Sequence, residues 1–166
     1  MLCTLQQTRR YVGLHHRLDT AASGLLVCAV HRRANRGLAE AFRTHEVQRA
    51  YLAVLDGEAE PGIWDRPVGG LAARSTLQMR GTGSGLTAAA LTLETGRKHQ
   101  LRVHAALAGT PICGDRRYGG DAARRWPRLA LHAATLALTH PVTGEPCAFQ
   151  AALPPDLCPL WEEAGG

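Results

Sequence analysis

His15-His16-Arg17-Leu18-Asp19-Thr20-Ala21-Ala22-Ser23-Gly24 sets two imidazoles, a guanidinium, a carboxylate and hydroxyls side by side, then runs straight into Leu25-Leu26-Val27-Cys28-Ala29-Val30. The apolar run stops at His31-Arg32-Arg33 and predicts a strand buried on both faces. Asp19 then falls on a turn at the edge of a rigid sheet, which is the placement a catalytic loop residue needs. An ordinary turn would use the same residues, with Asp19 as its cap and Gly24 as its bend. The stretch alone leaves both readings open.

The rest of the chain is read outward from there. Arg33 to about Thr44 predicts a helix, because Leu38, Ala41 and Phe42 recur at helical spacing with Arg and Glu between them. Arg49 to Leu55 alternates as a strand, with Tyr51, Ala53 and Leu55 on one side and Leu52 and Val54 on the other. Ile63–Gly70 reads as a loop with a short edge strand, and Ala73–Arg80 and Leu86–Glu94 as strands joined across a glycine-rich hairpin link. Thr95 suits the cap of a helix from Gly96 or Arg97 to about Ala108, which would put Lys98 and Arg102 on one face. Ala122–Trp126 predicts a helical turn, Leu129–Leu138 and Cys147–Ala152 two further strands, and the residues from Pro154 a surface tail in which Leu157, Leu160 and Trp161 are the residues that could dock. Met1–Val12 shows no periodicity and reads as a frayed lead-in. Strands interrupted by a few helices, without regular βαβ alternation, indicate an α+β fold with a mainly antiparallel sheet.

The 166 residues suit a single domain, 1–166, with a substantial core. No apolar run approaches the roughly 20 residues that span a bilayer, and the N-terminus lacks a signal-peptide pattern, so the expectation is a soluble, cytoplasmic protein without a membrane partner. The five cysteines are scattered and form no C-x-x-C pair, which disfavours a disulfide framework or a zinc site; Cys28 reads as a core residue. Net charge is +5, carried by eighteen arginines and one lysine, Lys98. An arginine-rich positive chain favours a polyanionic partner.

Three further blocks narrow the function. They are Arg49-Ala50-Tyr51-Leu52-Ala53-Val54-Leu55-Asp56-Gly57, Thr95-Gly96-Arg97-Lys98-His99-Gln100-Leu101-Arg102-Val103-His104, and Pro111-Ile112-Cys113-Gly114-Asp115-Arg116-Arg117-Tyr118-Gly119. Together with the first stretch, in this order, they resemble the RluA-type pseudouridine synthases of RNA, whose blocks read HRLD-x-x-TSG, K-x-Y-x-A, TGR-x-HQ-[IL]-R-V-H and GD-x-x-YG. Leu131-His132-Ala133 and His140-Pro141 fit the same pattern. Four ordered blocks are far more specific than a single short motif. Three departures stand out. Ala22 replaces the threonine beside Ser23, Arg49 replaces the lysine two before Tyr51, and the family's upstream strand segment has no counterpart, which makes the expected fold N-terminally short.

The resemblance implies a mixed, mainly antiparallel sheet with a central cleft for RNA. It also implies isomerisation of uridine to pseudouridine in ribosomal or transfer RNA by an aspartate nucleophile. That chemistry breaks a C–N bond and makes a C–C bond with no redox step, so no cofactor and no metal are expected. Asp19 matches the family aspartate, Arg102 the arginine that pairs with it, and Tyr51 the tyrosine that stacks on the target base. Arg17, Arg97, Lys98 and His99 are candidate contacts to the flipped nucleotide or its phosphates. Without the motifs, Arg102 would read as a surface helix charge and Tyr51 as a core aromatic. Two alternatives remain: a catalytically silent RNA-binding module of the same fold, and a metal-dependent hydrolase. The second is disfavoured because His99 and His104, five apart, diverge on a helix, and His15 and His16 would point to opposite faces of a strand.

Overall fold

The computed structural model describes residues 11–166, so the lead-in expected at Met1–Arg10 lies outside the described residues. In chain order the strands are β1 (Gly13–Leu14), β2 (Ser23–Gly24), β3 (Cys28–Ala29), β4 (Gln48–Asp56), β5 (Gly62–Trp64), β6 (Ser75–Gly83), β7 (Leu86–Leu93), β8 (Leu131–Thr139) and β9 (Pro146–Gln150). The α-helices are α1 (Arg32–Arg43), α2 (Gln100–Leu107) and α3 (Cys158–Glu163), and Asp121–Arg125 forms a short 3-10 turn. β1 and β3 form a small antiparallel pair. A larger, seven-stranded sheet runs β2-β8-β4-β7-β6-β5, with β9 also joined to β8. Its pairings are antiparallel except β2 with β8, which is parallel. The α+β architecture with a mainly antiparallel sheet is as the sequence indicates.

The centre of the sheet is apolar. Leu55, Ala88, Ala89 and Leu91 on β4 and β7 are essentially inaccessible, and Leu101 and Ala105 of α2 pack with them. A second cluster joins Leu38 and Ala41 of α1 to Ala29, Val47, Leu136 and Leu138. Helix α1 lies where the periodicity places it, with Leu38 and Ala41 inward and Arg43 in its last turn.

Five expectations need correction. Leu25–Val30 is not one strand buried on both faces. Only Ser23–Gly24 and Cys28–Ala29 are strand, and of Leu25–Val30 only Ala29 is buried. The chain has to leave β8 after Gly24 in order to reach β1, so Leu25 and Val27 pack on the smaller cluster instead of entering a ladder. For the same reason Cys28 is half-buried and not a core residue. The helix predicted from Gly96 begins only at Gln100, so Lys98 precedes it and shares no helical face with Arg102. Thr95 is not its cap: its hydroxyl donates to Gln100 Oε1 at 2.7 Å and accepts the Arg74 N–H. Lastly, the segment after Pro154 contains helix α3, flanked by buried Leu157 and Ala164, where a surface tail was expected.

Candidate active site

Two loops, strand β4 and the first turn of α2 meet at a cleft of about 580 Å³ whose lining includes Asp19, Tyr51, His99 and Arg102. The turn carrying Asp19 closes on itself, the Ala22 N–H donating to the Asp19 carbonyl at 2.9 Å. It is then tied to the sheet. Gly24 pairs with Ala133 of β8, and Ala133 pairs with Tyr51 of β4, so one cross-strand row sets Asp19's turn against Tyr51. The β4–β8 register shifts between Ala50 and Tyr51, passing over Ala134 of β8, and such irregularities commonly re-aim a side chain. Gly24 has φ 109°, and a Cβ there would collide with the Ala133 carbonyl.

The turn has a second anchor. Ser23 Oγ accepts from Arg128 Nη2 at 2.7 Å and donates to His132 Nδ1 at 2.9 Å, while His132 Nε2 faces the Ala151 carbonyl at 3.3 Å. The Ala151 carbonyl can only accept, so in the neutral ring the His132 proton sits on Nε2, and Nδ1 is left to accept from Ser23.

Arg102 enters from α2. Its Nη1 reaches Asp19 Oδ2 at 3.2 Å, while Nε and Nη2 form a two-pronged pair with Asp115 at 2.8 and 2.7 Å. The Asp115 side chain is fully buried and also accepts the N–H groups of Arg117 and Tyr118. Burial pushes its carboxyl up, but Arg102 and the two amides outweigh it and hold the group below the usual carboxylate range. The same pairing raises Arg102 against the opposing effect of burial. Tyr118 completes the cradle: its ring lies 5.2 Å from the Arg102 guanidinium, and its hydroxyl is 3.0 Å from His99 Nδ1.

His99 caps α2 in the left-handed region, φ 58°, an unusual backbone for a residue with a side chain. That geometry leaves its Nε2 at 3.7 Å from Asp19 Oδ1. Burial lowers His99, the charges of Arg102, Arg117 and Lys98 add to this, and Asp19 opposes it. Gln100 fixes the approach to the helix, accepting from Thr95 Oγ1 and the Arg97 N–H and donating to the Arg74 carbonyl and Ser75 Oγ. Tyr51 is buried, and burial raises its phenol, Asp19 adding to the rise and Arg49 opposing it.

The structure therefore brings Asp19, Tyr51, His99 and Arg102 together. Arg17 and Lys98 line the same cleft as exposed cations, and Arg97 lines it with its Nε donated to the Ala72 carbonyl. Sequence reasoning passed over Asp115 as a partner of Arg102, although it quoted the Gly-Asp pair. It also passed over Ser23, Arg128 and His132 as a linked set; the Leu131-His132-Ala133 block, which lies in β8, was the hint to it. Among the described residues, no group of three or more His, Cys, Asp or Glu stands where it could hold a metal ion. No described helix is long and apolar enough to cross a membrane.

Comparison with known proteins adds the lineage. The pattern of the family described as RNA pseudouridylate synthase matches residues 3–107. A Bacillus subtilis protein named uncharacterized RNA pseudouridine synthase YjbO is 37% identical over 168 residues, covering 92% of this chain and 59% of its own. The Haemophilus influenzae dual-specificity RNA pseudouridine synthase RluA is 38% identical over 155 residues, covering 82% of this chain and 71% of its own. The ribosomal large subunit pseudouridine synthase D of Nitrosomonas europaea is 37% identical, and the match spans 50% of its length. The chain thus spans between half and about 70% of these relatives. Among solved structures, human RNA pseudouridylate synthase domain containing 1 superposes with a TM-score of 0.75 at 26% identity, covering 95% of this chain and 74% of that one.

Proposed function

Since this chain belongs to the RNA pseudouridylate synthase family, we propose that it isomerises specific uridines of ribosomal or transfer RNA to pseudouridine, with Asp19 as the nucleophile. The observation that carries the reading is the Asp19 carboxylate held in the cleft by Arg102, whose charge is already matched by Asp115. Arg102 can therefore orient Asp19 without neutralising it fully, which leaves a carboxylate oxygen available to react.

In the reaction the uridine leaves its stack and enters the cleft. The N1–C1′ bond breaks, the uracil turns within the cleft, and C5 bonds to C1′. C5 gives up its proton and N1 takes one, so atoms and electrons balance without a redox partner. Asp19 assists through a transient covalent bond, either to the ribose or to the uracil ring. Tyr51 offers a buried aromatic face for the base, and its raised phenol keeps it neutral beside Asp19. His99 lies close enough to interact with Asp19 or with a proton in transit. Arg17, Arg97 and Lys98 supply positive charge along the rim, which suits a polyanionic strand. The reading needs no cofactor, treats residues 1–166 as one catalytic domain, and assigns the protein to the cytoplasm with its RNA.

The test is tritium release from RNA labelled at uracil C5. Unmodified ribosomal and transfer RNA are offered separately to the wild-type chain and to Asp19→Asn. Release by the wild type alone is expected. No release by a folded wild-type chain that still binds RNA would instead indicate a silent RNA-binding module.

A further inference from the structure

Beside Tyr51, the same cleft contains two buried donors that the reaction as described does not use. Arg49 Nε and His16 Nδ1 are both inaccessible and have no hydrogen-bond partner among the described residues. Both residues line the cleft, and both meet the ring of Phe42: His16 stacks on it at 4.4 Å and 16°, and the Arg49 guanidinium lies 5.7 Å from its centroid. His16 Nε2 accepts the Val27 N–H at 2.9 Å. In the neutral ring that leaves the proton on Nδ1, a directed donor. Burial first, and Arg49 second, keep the ring neutral down to about 4.

Arg49 has no carboxylate within ion-pair distance among the described residues, whereas Arg102 has two and Arg125 and Arg128 one each. A half-buried guanidinium without a counter-charge is costly, and the cost is removed by an anion that arrives from outside. Gly96 lets the guanidinium pack closely against the loop before α2: a Cβ there would come within 3.3 Å of Arg49 Nη2. A rigid aromatic ring, a fixed neutral donor and a fork-shaped cation together suit a tetrahedral oxyanion with several acceptor atoms.

We propose that Arg49, His16 and Phe42 form a subsite for a backbone phosphate of RNA next to the nucleotide that enters the cleft; this rests on the reading of the protein as an RNA-modifying enzyme. A neutral base carbonyl would satisfy the His16 donor but would leave the Arg49 charge unmatched. The phosphate matches the charge and, as the Arg49 and His16 side chains turn out of their enclosed positions, takes both donors, which fixes the strand's register relative to Tyr51 and Asp19.

The test measures the affinity of unmodified ribosomal and transfer RNA transcripts against salt concentration, together with kcat and KM for tritium release, in wild type, Arg49→Gln and Arg49→Lys. Losing one phosphate contact to single-stranded RNA lowers the slope of log affinity against log salt by about 0.7. That decrease is expected for Arg49→Gln, with KM raised about tenfold and the loss falling more on KM than on kcat. Arg49→Lys is expected to regain the slope but only part of the KM, because lysine offers a point charge and no fork.

A wild-type slope and KM in Arg49→Gln would overturn the subsite. So would a loss confined to kcat, which would mean that Arg49 acts on Tyr51 alone. A check free of substitutions is the ring-nitrogen resonance of His16 Nδ1 in labelled wild-type protein. It is expected to move when RNA binds, and an unmoved resonance also overturns the subsite. Failure of the wild type to bind RNA at all would reject the functional reading itself, a result distinct from a normal wild type with an indifferent Arg49→Gln.

Discussion

Asp19 and Asp115 share one guanidinium unequally: Arg102 gives Nε and Nη2 to Asp115 at 2.8 and 2.7 Å, and only Nη1 to Asp19, at 3.2 Å. The two carboxylates therefore contribute to different properties. Asp115→Asn leaves a buried arginine without its main counter-charge and is expected to cost about 3–5 kcal/mol of stability. Asp19→Asn leaves Arg102 still paired and is expected to change stability by less than about 1 kcal/mol while abolishing tritium release. Urea unfolding of both variants checks the contrast. Equal losses would show that Asp19 is as structural as Asp115.

Ser23 connects the Asp19 turn to Arg128 and His132 without lining the cleft. Ser23→Ala leaves His132 Nδ1 and one arm of Arg128 without a partner, at a cost of about 1–3 kcal/mol. The expected kinetic effect is a fall in kcat of about tenfold with KM little changed, since a loosened Asp19, the proposed nucleophile, loses orientation and no RNA contact is removed. A rise in KM alone would place Ser23 at the RNA instead.

His16 makes stability depend on pH in a definite direction. In the unfolded chain it takes a proton near 6.5, but in the folded chain it stays neutral down to about 4. Above 6.5 both states are neutral and its contribution is flat. Between 6.5 and 4 the unfolded state holds the extra proton, so stability falls as pH falls. Allowing for its partial exposure, the loss is about 2 kcal/mol. His15 and Arg49 bear on the same ring, so the check is the difference in unfolding free energy between wild type and His16→Gln across that range. This difference is expected to shrink toward acid pH, and a constant difference would contradict it.

Gly24 holds the parallel β2–β8 contact. Gly24→Ala combines a positive φ with a collision against the Ala133 carbonyl, and the expected cost is about 3 kcal/mol or more. Hydrogen exchange should locate the damage at Leu25, whose N–H donates to Ala133 O at 2.9 Å, while the β6–β7 hairpin keeps its protection.

The fold class and the members of the site were legible because both rest on local pattern. Alternation exposed β4, composition and a glycine-rich link exposed β6 and β7, helical spacing exposed α1, and the motif blocks indicated Asp19, Tyr51 and Arg102. What escaped depends on tertiary context. Leu25–Val30 has the composition of a strand, yet the chain must turn away from β8 after Gly24, and composition does not encode that turn. Helix α2 starts late because Gln100 uses its side chain to bind Thr95, Arg97, Arg74 and Ser75, a competition invisible to propensity. Asp115 and Arg102 are both ordinary surface residue types, and only burial turns them into a pair.

The pairing of Ser23 with His132 joins positions 109 residues apart, and this has a consequence for the chain as it is made. Closing so long a loop is entropically costly and kinetically late compared with the hairpins between β4 and β7. Synthesis runs from the N-terminus, so Asp19 is translated early and its anchor is translated late. A nascent chain that stops before β8 carries the Asp19 turn on an unmoored segment, so the geometry that sets Asp19 against Tyr51 and Arg102 is complete only once β8 has been made.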